Sequence, residues 1–154
     1  MIVAMLMGGC TPRPPGFVVV GRDSHGVLVG GMVVCADAPD TALLTPTDQI
    51  EKTSPKTQAQ WRLRREDLHE GHLVTWPLFG STTGETIRSL NTLTKAPVEA
   101  MSLYVQRQPS AGASGIDFDM AQLNALSNAQ FLYRGSGDHI QAGTEADIQG
   151  AVYC

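Results

Sequence analysis

The chain has 154 residues, enough for one domain with a sizeable core, and 42% of them are hydrophobic. Only 17% are charged, and Gly, Ser, Thr and Gln fill the gap, a balance that suits a loop-rich, exported β protein better than a helical cytosolic one. Net charge is -4 and the basic residues are scattered apart from Arg62-Leu63-Arg64-Arg65, which excludes the basic stripe of a nucleic-acid binder; no run of eighteen apolar residues marks a membrane-spanning helix.

Taken in order, the chain starts with Met1 to Met7, MIVAMLM, which is wholly apolar and runs into Gly8-Gly9-Cys10 and then Thr11-Pro12-Arg13-Pro14-Pro15-Gly16. An apolar run, two small residues and a cysteine resemble the lipobox of bacterial lipoproteins. The resemblance implies cleavage before Cys10 and a diacylglycerol on its thiol. Residues 1–9 then read as a truncated signal-peptide-like segment with Met1 an internal or misassigned start, since no basic n-region precedes Ile2. Residues 10–16 read as the lipidated cysteine and a stiff proline-rich tether, and 17–154 as a single β-rich domain. The competing reading makes 1–9 an ordinary edge segment and Cys10 a free thiol.

Phe17 to Val20 and Val27 to Cys35 are rich in β-branched residues and flank Arg22-Asp23-Ser24-His25-Gly26, which has turn composition, so they predict a β-hairpin. Ala36 to Pro46 predicts a loop with a brief strand or turn at Leu43-Leu44, and Thr47 to Thr57 an exposed polar stretch. Gln60-Trp61-Arg62-Leu63-Arg64 alternates, placing Trp61 and Leu63 on one face of a strand and the arginines on the other. Arg64 to Gly71 predicts a charged turn, and His72 to Phe79 a strand that Pro77 confines to an edge or ends. Gly80 to Ala96 predicts a loop or a short helix around Glu85 to Leu90. Met101 to Gln106 has the cleanest two-residue period, with Met101, Leu103 and Val105 inward, and Pro109 to Gly115 predicts a flexible loop. Asp119 caps a short helix carrying Leu123 and Leu126 on one side; Ala129 to Arg134 is a further strand, Gly135 to Asp138 a turn, and Thr144 with Asp147 a capping box.

Six or seven short strands with one or two short helices and no βα alternation predict an antiparallel β-sandwich or small barrel, with an α+β sheet as the alternative. With Cys10 assigned to lipid, Cys35 and Cys154 remain to form a disulfide, which suits export and would stabilise the fold by about 4 to 5 kcal/mol on the chain-entropy model. The alternative leaves Cys35 as a buried apolar residue and Cys154 at a frayed terminus. The Val-rich hairpin ending at Cys35, Leu103-Tyr104, Phe118 to Leu126, Phe131-Leu132-Tyr133 and a closing Cys154 resemble small exported lipoproteins of high-GC Gram-positive (actinobacterial) bacteria, a group that implies location and a β-rich domain but no activity.

Candidate chemistry is sparse. His69 and His72, with Asp67 and Glu70, carry nitrogen and carboxylate ligands suited to a divalent metal, but Gly71 breaks any helix and the spacing is not that of HExxH. His25 and His139 fall in turns, and Gly135-Ser136-Gly137-Asp138-His139 is a turn rather than a triad. Trp61, Trp76 and Tyr104 are candidates for a ligand groove, against the commoner role of strand tryptophans in a core. No cofactor is expected. The expected function is that of a lipid-anchored, extracytoplasmic binding or interaction module, held to the membrane and facing an envelope ligand or protein; the alternatives are an accessory subunit of a membrane complex, a secreted form, and a metal-dependent hydrolase using His69 and His72.

Overall fold

In a computed structural model, the structure describes residues 16–35, 37–49, 57–107, 113–135 and 138–151. Ten strands and two short helices are found among them: β1 (Gly16–Arg22), β2 (Leu28–Val34), β3 (Thr41–Pro46), β4 (Ala59–Leu63), β5 (Leu73–Pro77), β6 (Ile87–Asn91), β7 (Met101–Gln106), β8 (Ala113–Phe118), α1 (Met120–Asn124), β9 (Phe131–Arg134), β10 (Ile140–Gly143) and α2 (Glu145–Ala151). Single 3-10 turns lie at Thr47–Gln49 and Arg65–Asp67. The strands form two five-stranded antiparallel sheets, in the orders β10-β9-β1-β2-β5 and β6-β4-β3-β7-β8. The protein is a mainly β sandwich, not an α+β fold.

The hairpin is the centre of the first sheet. β1 and β2 pair in register from Gly16 with Val34 to Arg22 with Leu28. Its turn is held by Asp23, whose carboxylate accepts from the backbone N–H groups of His25 (2.8 Å) and Val27 (2.9 Å). Arg22 ties that turn to the other end of the chain, donating through Nε to Leu123 O (3.3 Å), through Nη1 to Gly26 O (3.0 Å) and through Nη2 to Asn124 Oδ1 (3.2 Å). Strand alternation divides the valines between two layers. Val18, Val20, Met32 and Val34 face the second sheet, where Leu44, Trp61, Leu63, Leu103, Val105 and Ile116 meet them. Val19, Val29 and Val33 face outward and are covered with Phe131 and Tyr133 by Ile148 of α2. A sheet buried on both faces explains the near-continuous apolar run of β1.

Several expectations need correction. Gly16, expected in the tether, opens β1. Leu43-Leu44 belongs to a full strand, β3, paired on both sides with β4 and β7. The stretch expected as a loop or helix near Glu85 to Leu90 is the strand β6, paired with β4. Ala113 to Gly115, expected in a loop, starts β8, and Ile140–Gly143 adds a strand, β10, that sequence reading passed over. Each of these strands except β3 lies at a sheet edge or beside its own hairpin partner, where one buried face suffices and few apolar residues are needed. Pro77 does end β5, an edge strand.

Both helices carry capping boxes. Asp119 accepts from Gln122 N (2.8 Å) while Gln122 Oε1 accepts from Asp119 N (2.9 Å), and Leu123 beneath is fully buried. At α2, Asp147 Oδ2 accepts from Thr144 N (2.8 Å) and from Thr144 Oγ1 (3.0 Å). These bonds, the backbone one first, hold the Asp147 carboxyl below its ordinary value. A depressed carboxyl contributes stability above its unfolded value, about 3.9, and loses it as pH falls through the lower folded value. We expect the Asp147 carboxyl carbon, followed by NMR, to titrate below the ordinary Asp midpoint, and the Thr144 amide to move with it. A midpoint at or above the ordinary value would show that this cap does not form.

Candidate functional site

The second sheet carries the most distinctive polar feature. β4 and β6 place Arg62 directly opposite Arg88 in register, with Leu63 opposite Ile87 on the buried face. The strand alternation that sends Trp61 and Leu63 into the core sends Arg62 out. The chain then turns through the 3-10 segment, which adds Arg64 and Arg65 to the same side. Together these residues line a groove of about 470 Å³, within the usual range for small-molecule sites. The carboxylates of Asp40, Glu66 and Glu85 lie in the same lining.

Only part of this charge is internally matched. Arg64 Nε pairs with Glu66 Oε1 at 3.0 Å and lies 3.6 Å from Asp67 Oδ2. The bond to Glu66, then the charges of Asp67 and Glu66, raise the Arg64 guanidinium above its ordinary value. Glu66 is held below the usual carboxylate range by its backbone hydrogen bond first and by Arg64 second. Both groups are exposed, so this pair adds little to stability. Asp40 accepts from Thr41 Oγ1 at 3.0 Å. Arg62, Arg65 and Arg88 have no carboxylate partner among the described residues, and Arg65 Nε is buried with no hydrogen-bond partner there. Like charges directly opposite on paired strands repel, and neither Arg62 nor Arg88 has an ion-pair partner among the described residues to offset this.

The other candidates are placed elsewhere. His69 and His72 stand edge to face, ring centres 6.0 Å apart, in the exposed loop between the 3-10 turn and β5. Among the described residues, no three His, Cys, Asp or Glu side chains come together closely enough to share a metal ion, so Asp67 and Glu70 do not complete a site with this pair. His25 contacts Ser24 Oγ through Nδ1 (3.3 Å) in the exposed hairpin turn. Trp61 and Trp76 are both buried between the sheets, ring centres 6.0 Å apart and tilted by 50°. Tyr104 points from β7 to the opposite face of its sheet, beside Leu43 and Gly115. On that face Ser102 is 2% exposed, hydrogen-bonds to Asp117 and lies 3.2 Å from Thr47 Oγ1. Cys35, just after β2, is buried and engaged; Cys10 and Cys154 lie outside the described residues, as do residues 1–9. No helix among the described residues is long and apolar enough to cross a membrane.

Sequence reading put Arg62 and Arg64 on an outward face but did not connect them with Arg65, Arg88 or Glu85. The signal was the clustering of arginines at 62 to 65; what it lacked was the strand at 87 to 91. Fold and site define an antiparallel β-sandwich with an arginine-lined groove on one end of its second sheet. No family model, no curated protein and no solved structure matches this chain.

Proposed function

We propose that the chain is an exported lipoprotein of the cell envelope, held to the membrane through Cys10 and working as a binding or interaction module. The observation that carries this reading is the state of Cys35. It follows the central hairpin at 2% exposure and is engaged rather than free. Disulfides persist in oxidising compartments and are rare in the cytosol, so a disulfide at Cys35 would go with an extracytoplasmic address. Cys154 is its proposed partner, and this leaves Cys10, after Gly8-Gly9, for the lipid. A sandwich whose two layers share one core suits a display role, with loops and strand ends available to carry recognition.

Intact-mass measurement of the protein purified from its native host tests the processing, the lipid anchor and the disulfide together. The expected species begins at Cys10, carries the added mass of a diacylglycerol, and is two hydrogens lighter than its reduced form. Cys10→Ala is expected to abolish incorporation of a labelled fatty acid. Recovery of an unprocessed chain with three free thiols from the cytosolic fraction would overturn the proposal.

A further inference from the structure

We propose that the groove lined by Arg62, Arg65 and Arg88 is an anion site that takes a phosphate monoester group. This goes beyond the envelope reading and does not depend on the tether or the disulfide.

The argument starts from cost. Arg62 and Arg88 are cross-strand partners, which brings their Cβ atoms within about 5 Å of each other on one face of the sheet. In a chain of net charge -4, carboxylates are plentiful, yet neither arginine has one as a partner among the described residues. Arg65 adds a third cation, with its Nε buried and unbonded. Three cations in one lining, none with an ion-pair partner among the described residues, are met most simply by a bound oxyanion, which would also screen their repulsion. Arg64, by contrast, is already occupied by Glu66.

The number of open donors selects the ligand class. A carboxylate brings one charge and two oxygens, too little for three guanidinium groups. A phosphate monoester brings nearly two charges and three strong acceptor oxygens. Guanidinium forks bind such oxygens in pairs, which gives direction as well as charge. Glu85 sits in the same lining with no cation partner among the described residues. Its negative charge disfavours deep polyanions that would cover the whole groove and leaves one end for a single phosphate. Such a group arrives either on a small soluble phosphoester or on a lipid headgroup, and the two share the chemistry recognised here.

The test uses the full chain at low ionic strength and two probes: inorganic phosphate, followed by calorimetry and by the arginine Nε signals in NMR, and vesicles of phosphatidylcholine with or without phosphatidic acid, followed by co-sedimentation. Saturable phosphate binding that weakens by about tenfold or more in Arg62→Gln/Arg88→Gln supports the proposal with a soluble phosphoester as the source. Binding to phosphatidic-acid vesicles alone, lost in the same variant, supports it with the lipid headgroup as the source. Since the substitution removes a like-charge pair, its Tm is expected to match or exceed that of the parent, so lost binding will not reflect unfolding. Arg65→Gln supplies a second, independent loss. Binding of neither probe, unchanged binding in the double variant, or equal affinity for acetate would each overturn the proposal.

Discussion

Trp61→Ala is expected to lower the free energy of unfolding by about 3 to 5 kcal/mol, a large part of the roughly 5 to 15 kcal/mol a domain of this size holds. Trp61 is fully buried and reaches from β4 across the sandwich to Trp76 of β5 in the other sheet. Truncation leaves a cavity between the layers and removes the tilted ring contact, itself worth about 1 kcal/mol beyond area. Neither indole N–H has a hydrogen-bond partner among the described residues, so both donors already weigh against the fold. Trp61→Phe, which keeps much of the ring and removes an unpaired donor, is therefore expected to cost clearly less than Trp61→Ala. Urea titration of both variants measures the difference through the midpoint at constant slope. A loss below about 1 kcal/mol for the alanine variant would mean that the ring does not fill the core described.

Gly21→Ala is the second substitution expected to do severe damage. Gly21 lies opposite Phe131 where β9 joins β1, and a methyl group there would meet the carbonyl oxygen of Gln130 and approach the Phe131 Cα to 2.7 Å. These are backbone atoms and cannot rotate aside. β9 would have to retreat, loosening the Val20 to Leu132 pairing and the bond from Arg22 N to Gln130 O (2.9 Å), and carrying Phe131 and Tyr133 away from Ile148. Overpacking of this kind costs about 1 to 3 kcal/mol, with more expected when the main chain must move. Gly150→Ala is the matched control: nothing lies within 4 Å of a methyl group there, in α2. It is expected to be neutral or to stabilise by up to about 1 kcal/mol. Equal melting temperatures for the two variants would refute the close approach of β9.

What could be read from the residues alone was whatever rests on local periodicity. The β1–β2 hairpin was legible because its apolar runs flank residues that accept a tight turn, and β7 because Met101, Leu103 and Val105 alternate strictly. Asp119 announced α1 because a side-chain cap acts on amides only a few residues away. β6 and β10 were not legible, since each offers only a short segment without two-residue alternation, Ile87 and Leu90 in one and Ile140 in the other, and becomes a strand by pairing with its neighbour. The tryptophans looked equally suited to a groove or a core, as an aromatic side chain on a strand has the same local pattern in both settings.

The order of these ten strands, and with it the meeting of distant side chains, belongs to tertiary structure. The alternation around Trp61 already determines that Arg62 leaves the core. Only the antiparallel register of β4 with β6 decides that Arg88, twenty-six positions further on, stands opposite it. Side-chain direction follows from bond geometry along one strand, whereas the juxtaposition of two charges follows from hydrogen bonds between strands whose alignment is chosen by the burial of Leu63 and Ile87 on the far face.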